Sequence, residues 1–480
     1  MRTVKLTSKR IYLIIATTAS ISLLLLLFWL FNDPTKDFVV NNPGMDKLTN
    51  KTQSARIENI VIGEHFARLN TFNSTLTEKW PTFRGANHDN ILKTTYPINV
   101  NWKAKEPKIL WSVPTGEGHA SPVIYNGLVY FIDYDEKDKA DVLKCLSLES
   151  GKELWRRWYS VHIKRNHGMS RTIPAVTEKY VVTMGPRCHV MCTDRLTGDL
   201  YWGIDLEKKY QTKTPLWYTG QCPIVVDDVA IIAVGGSSLM IGVDCKSGKV
   251  LWETPNEKKW EMSHSSILPV TILNKKMFVY ASIGGICGIS AEQTDMGKLL
   301  WTISEWAPSV VAPSPVYLGN NKLFLTAGYG AGGTVIRLSE SGGNFSAKLE
   351  SKFSPHEGLA SEQQTPILNN GFIFGILPKD AGANRNQFVC YKSSDLQTPV
   401  WLSGKANRFG LGPYIQLNDI ILILNDEGTL NMIEASTNAF KQLNQKKLFE
   451  GSDAWGPMAF ADGYLLLRDS KNIYCLDLKP

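Results

Sequence analysis

His119 and Ser121, His167, Met169 and Arg171, Gln221, His264 and Ser265, Ser314, Glu362, Gln363 and Gln364, and Trp455 all stand within seven residues ahead of a proline that opens an apolar run. Gathered around one point, two or three histidines, an arginine and a glutamate could bind an anionic or polar ligand. Histidine can move a proton or ligate a metal, arginine grips a carboxylate in a two-pronged fashion, and a carboxylate serves as base or metal ligand. His167 with Arg171 is the best pair for an acidic ligand. Glu362 is the one acid among these residues, and so the best single candidate for a base or metal ligand. The plainer reading of the same set is a polar, water-filled mouth, and it is the more economical one.

What would gather these residues is a repeat. Pro122, Pro174, Pro223, Pro269, Pro315, Pro366, Pro413 and Pro457 follow one another at spacings of 52, 49, 46, 46, 51, 47 and 44 residues. Each opens a short β-rich run, as in Ser121-Pro122-Val-Ile-Tyr-Asn-Gly127-Leu-Val-Tyr130. Proline is tolerated at a strand's first residue, where no ladder donor is needed. Pro269 is displaced by about two positions, because His264-Ser265-Ser266 stands where Ala120-Ser121 stands in the first copy. A second, independent marker is a glycine turn followed by tryptophan: Gly151 to Trp155, Gly198 to Trp202, Gly248 to Trp252, a weaker copy from Gly297 to Trp301, and a degenerate one at Trp401. Periods of about 40–50 residues with several short strands each predict propeller blades. Eight prolines predict eight blades, an all-β propeller in which the loop into each innermost strand rims an axial funnel. Ile109-Leu-Trp111-Ser-Val113 reads as an outer strand with no inner strands before it, while the last blade ends at Leu478 without one. The early strand is expected to complete the last blade.

These residues resemble the PQQ-repeat (quinoprotein-like, BamB-like) propeller family. Its tryptophan-docking pattern is similar to residues 192–202 and 243–252, and Trp80-Pro-Thr-Phe-Arg84-Gly85-Ala-Asn is similar to an opening common in bacterial PQQ-like propellers. The resemblance spans residues 80–480 and implies one of two activities. Quinoprotein dehydrogenases hold PQQ and Ca²⁺ over the axis and oxidise alcohols or sugars; BamB-like proteins bind no cofactor and act as scaffolds in outer-membrane protein assembly. Under the first, His119, His167, Arg171, His264, Gln364 and Trp455 would bind the cofactor and Glu362 would be base or metal ligand. Alcohol-oxidising members carry two adjacent cysteines, and this sequence has no Cys-Cys pair. The nearest pair, Cys188 and Cys192, would lie about 13 Å apart on a strand, beyond disulfide reach. Sugar-oxidising members lack that pair, so PQQ use as such stays open. There is no haem-attaching C-x-x-C-H motif. Cys145, Cys192, Cys245, Cys287, Cys390 and Cys475 recur near one repeat position, as small buried apolar side chains. The expectation is a non-catalytic binding or scaffold module without cofactor, with a PQQ- and Ca²⁺-dependent dehydrogenase as the alternative and recognition of an extracellular polymer as a third.

Outside the repeats, Ile11–Phe31 holds no charge over 21 residues, about 30 Å as a helix and enough to span a hydrocarbon core. The run is longer than a cleaved signal's apolar region and ends without a small-x-small site, which favours an uncleaved anchor. Residues 1–10 form a basic stub, with Arg2, Lys5, Lys9 and Arg10 preceding the span and Asp33 and Asp37 following it. The N-terminus is therefore expected in the cytoplasm and the propeller in the periplasm or cell exterior. Residues 32–79 read as a tether, with a turn at Asn41-Asn42-Pro43-Gly44 and a short helix over Ala55–Leu69. The net charge is +7, but four of the 52 basic residues belong to the stub, leaving 48 against 45 acidic. With no Lys/Arg-rich run in the body, a nucleic-acid face is unsupported.

Overall fold

A computed structural model describes residues 7–32, 60–451 and 453–480. The chain divides into two units, Met1–Arg56 and Ile57–Pro480. In the first, Ser8–Phe31 is one 24-residue α-helix, long and apolar enough to cross a membrane. The Thr17 and Thr18 hydroxyls donate to the carbonyls of Leu13 and Ile14, at 2.7 and 2.8 Å, which satisfies them inside the helix where hydrocarbon could not. The turn expected at 41–44 lies outside the described residues.

The second unit is an eight-bladed β-propeller. Eight antiparallel sheets follow one another along the chain, and blades 1 to 8 begin their innermost strands at Val123, Ala175, Ile224, Leu268, Val316, Ile367, Tyr414 and Ala459. Blade 1 shows the pattern, with strands Val123–Tyr125, Leu128–Asp135, Ala140–Ser147 and Glu153–Ser160 ordered outward from the axis. Six of the eight marker prolines stand one residue ahead of the innermost strand, and Pro457 two ahead. Pro269 instead sits second in Leu268–Ile272, opposite Phe278, the displacement read from its sequence.

The repeated glycine–tryptophan pair has a direct steric reason. Four tryptophans on fourth strands lie over the glycine turn of the following blade: a Cβ at Gly151 would strike Trp111, at Gly198 Trp155, at Gly248 Trp202 and at Gly297 Trp252. Those four glycines also hold φ between 68° and 85°, a conformation that L side chains resist. Three indole N–H groups finish the contact by donating to a backbone carbonyl of the next blade: Trp111 to Leu148 at 2.8 Å, Trp202 to Cys245 at 2.9 Å and Trp401 to Ser436 at 3.0 Å. The ring closes as the sequence predicts. Lys108–Pro114 pairs with Asn472–Asp477, Trp111 facing Cys475, as the fourth strand of blade 8. All eight cysteines are free and buried, and burial pushes the Cys287 thiol up to about 12.

One expectation is overturned. The described part of Ala55–Leu69 contains no helix; His65–Arg68 is a strand that pairs antiparallel with Trp155–Trp158 on the outer edge of blade 1. The unpaired N–H and C=O groups of that edge attract a strand, and the β-branched run Ile60-Val61-Ile62 leading into it favours extended chain over helix. The stretch read as a tether therefore gives its last residues to the folded unit, where Ile62 packs over Gly203 and Phe66 over Trp155.

Candidate functional site: a blind funnel at one end of the axis

Four antiparallel strands per blade send every loop into an innermost strand, and every hairpin between second and third strands, to the same end of the ring. The opposite end is crossed by the chain itself. Lys79–Trp80 pairs with the innermost strand of blade 1, and Ile91–Leu92 runs parallel to that of blade 7. Between them the Pro81 carbonyl accepts from the Val176 N–H of blade 2 at 2.8 Å. The segment 79–92 thus bridges the innermost strands of blades 1, 2 and 7 at that end.

Around the funnel mouth the side chains form a closed circuit of contacts. Trp455 of the loop before blade 8 stacks on His119 (5.2 Å, 23°) and meets His167 edge-on (5.7 Å, 87°). Arg171 donates to the carbonyls of His167, at 2.6 Å, and Trp217. Trp217 packs on His264 at 6.3 Å and stacks on Tyr329 at 6.1 Å. The Lys379 ammonium lies 5.2 Å from the Tyr329 ring and 3.0 Å from the Glu362 carboxylate. Two residues along the chain from Glu362, Gln364 Nε2 donates to the Trp455 carbonyl at 3.0 Å, so the backbone at 362–364 closes the circuit. Asp426 holds the Trp455 indole N–H at 3.0 Å. A Cβ at Gly220 would overlap His264, and one at Gly328 would overlap Glu362, so both side chains lie directly against backbone. His167, Trp217, Tyr218 and Tyr329 all hold left-handed φ, between 56° and 71°. Such strain in bulky residues is characteristic of ligand sites.

The electrostatics are those of a partly desolvated mouth. Burial, helped by Arg171, Arg468 and His167, holds the His119 imidazole down at about 3. Burial and Arg171 hold His264 at about 4. Both rings are therefore neutral at pH 7. Deeper in, Ser121, Gln221, Ser265 and Ser314 each present a buried oxygen with no hydrogen-bond partner, as does Glu362 through Oε2. Because the two folded histidine values lie below the unfolded one of about 6.5, the unfolded chain takes up protons that the native one refuses. Stability is then complete above pH 6.5 and falls as pH drops toward 4, by up to about 1.4 kcal/mol per pH unit for each histidine. Thermal melts from pH 7 to 4.5 should show this decline, with a shallower slope in His119→Gln/His264→Gln; parallel slopes would contradict it.

The residues singled out by sequence divide in two. His119, His167, Arg171, His264, Glu362, Gln364 and Trp455 join in the circuit, while Met169 is buried in an apolar cluster with Tyr134 and Tyr159. Trp217, Tyr329, Lys379 and Asp426 were missed. Three of them ride on hairpins between second and third strands; the glycines flanking Tyr329 and the polar loop at 380–386 were the available signals. That loop is a hairpin and also reaches its neighbour, where Asp380 accepts from the Gly330 N–H. On blade 2, His189, Asp205 and Glu207 could converge on a cation, but Lys208 and Arg187 already pair with the two carboxylates at 3.3 and 2.8 Å.

Residues 138–395, more than half of the chain, match the family model described as outer membrane protein assembly factor BamB. The chain belongs to this family of PQQ-repeat β-propellers. Among solved structures it is similar to quinohemoprotein alcohol dehydrogenase from Comamonas testosteroni, at TM-score 0.56 and 11% identity over 83% of this chain and 80% of that one. It is also similar to BamB from Moraxella catarrhalis, at TM-score 0.51 and 10% identity over 77% of this chain and 99% of that one. At these identities the likeness is one of fold. No curated protein sequence matches.

The dehydrogenase branch implies PQQ with calcium, and the funnel can be tested for the metal. Calcium takes about six to eight oxygens, several from carboxylates. Here the two carboxylates of the mouth are both engaged, Glu362 by an ammonium at 3.0 Å and Asp426 by the Trp455 indole N–H at 3.0 Å, and the unpartnered oxygens of Ser121, Gln221, Ser265 and Ser314 stand on four different blades. This donor set does not fit a calcium site.

Proposed function

We propose that this chain is a membrane-tethered binding or scaffold module. Residues 1–10 would lie in the cytoplasm, 11–31 would span the membrane as an uncleaved anchor, and the propeller would face the periplasm or cell exterior. The observation that carries the reading is the ion pair between Glu362 and Lys379. It neutralises the acid a dehydrogenase would use as base or metal ligand, with Lys379 as its partner, and leaves Arg171 beside stacked aromatics at the mouth. Such a mouth suits a partner segment bearing a carboxylate beside an apolar or aromatic group, bound through charge-assisted hydrogen bonds and ring contacts.

The second reading, a PQQ-dependent dehydrogenase of small alcohols or sugars, draws on one observation: Glu362 Oε2 is buried without a hydrogen-bond partner. Calorimetric titration of the full-length protein in detergent with PQQ, with and without Ca²⁺, separates the two. The scaffold reading expects no calcium-dependent binding, together with a partner captured by photo-crosslinking from position 329 in native membranes and lost in Arg171→Ala/Lys379→Ala. Tight calcium-dependent binding of PQQ that disappears in Glu362→Gln would overturn it.

A further inference from the structure

The segment that crosses the bore carries a buried cation, Arg84, that forms no ion pair among the described residues; Asp89 acts on it through space alone. Arg84 is 4% exposed, and its one side-chain hydrogen bond among the described residues is a long 3.4 Å contact from Nη2 to the Pro366 carbonyl. Its Nε is buried without a partner, and it makes no ion pair among the described residues. The nearest acid on its own segment, Asp89, turns Oδ1 to the Ile91 N–H at 2.9 Å. Burial lowers the Arg84 guanidinium to about 10, still a full cation at neutral pH. A lone ion in a low-dielectric interior is strongly unfavourable, and the penalty falls when an opposite charge and hydrogen bonds meet it.

A cavity lies beside this group, lined by Arg84, His88, Phe83, Ser266, Ser314 and Leu268 among others. It leaves about 10 Å³ in which the centre of a water-sized body can move, room for one such body. Ser314 Oγ has no partner. Ser266 Oγ accepts from the Cys222 N–H at 3.0 Å. His88, lowered to about 4 by burial and by Arg84, is neutral and adds no competing charge. Cationic and hydroxyl donors against the apolar walls of Phe83 and Leu268 suit a small, weakly hydrated anion better than they suit a cation or a polyatomic oxyanion.

We propose that the cavity beside Arg84 is a binding site for a single halide ion, chloride in the cell, which neutralises the guanidinium and ties the bore-crossing segment to blades 4 and 5. Water in the same space would solvate the cation without neutralising it, and is the competing outcome. The proposal is independent of what the funnel binds.

Thermal melts of the full-length protein in detergent test it, with sodium chloride exchanged for sodium gluconate at constant ionic strength. The expected result is a saturable rise in Tm with chloride, reproduced by bromide and absent in Arg84→Gln. Should Arg84→Gln fail to fold, Ser314→Ala should shift the chloride midpoint upward. Crystals grown in bromide should show an anomalous peak against Arg84 Nε. A Tm indifferent to halide at fixed ionic strength, or bromide crystals with no peak there, would overturn the site and leave a water in its place.

Discussion

Removal of residues 472–480 is expected to leave a chain that no longer accumulates as a folded propeller. The strand Asn472–Asp477 is hydrogen-bonded on both sides, to Tyr464–Arg468 and to Lys108–Pro114, and carries the strand pairing by which the two ends of the ring are stitched together. Ile473, Cys475, Leu476 and Leu478 are each fully buried in the cluster shared by blades 7, 8 and 1. An open repeat array can lose a terminal repeat and keep the rest, because each unit touches only its neighbours. A closed ring cannot: opening it exposes an apolar face on each side of the gap and two unpaired edges. Expression of the truncated chain should give aggregate or a protease-sensitive species, while the full chain gives a resistant core. A truncated protein that melts as the full one does would refute this account of the closure.

The second large effect is expected at Arg468, which is 0% exposed and serves both the ring and the funnel. Its guanidinium donates to the carbonyls of Gly118 at 3.1 Å, Gly116 at 3.0 Å and Ala120. Those three carbonyls belong to the loop that presents His119, so a residue of blade 8 fixes the histidine that stacks on Trp455. Arg468→Ala strands buried acceptors and opens a cavity, and the expected loss is about 3–5 kcal/mol. Denaturant titration reads that loss, and the environment-sensitive fluorescence of Trp455 should change with it. Arg468→Lys should recover little, since a compact ammonium cannot reproduce the planar fork that spans three carbonyls. Stability unchanged in Arg468→Ala would show that water satisfies the loop.

The part of the molecule legible in sequence is the part whose cause is local and repeated. Pro122 and its seven counterparts mark strand starts, and Gly198 and Gly248 mark turns that must pass beneath a tryptophan; both requirements recur once per blade, so they stand out as a period. The funnel residues just ahead of those prolines were legible for the same reason, since their distance along the chain from the innermost strand fixes which end of the ring they occupy. Tyr329 and Lys379 were not, because the reach of a hairpin over the axis depends on its length and on the tilt of its blade. His65–Arg68 was misread as helix because a strand added to an edge is recruited by its partner, Trp155–Trp158, which is remote in sequence. Arg84 was legible as part of a family-like motif, but its placement in the bore follows only from the strands at Trp80 and Ile91 that anchor either side of it.

The closure has one further consequence, for the nascent chain. Trp111 must wait for Cys475, 364 positions later, and at the usual 5–20 residues per second translation takes roughly 20–70 s to supply it. Throughout that interval Lys108–Pro114 is an apolar strand with no partner, and blade 1 has no neighbour on one flank. A chaperone that shields this early segment would act on the one step of assembly that no amount of local folding can hasten.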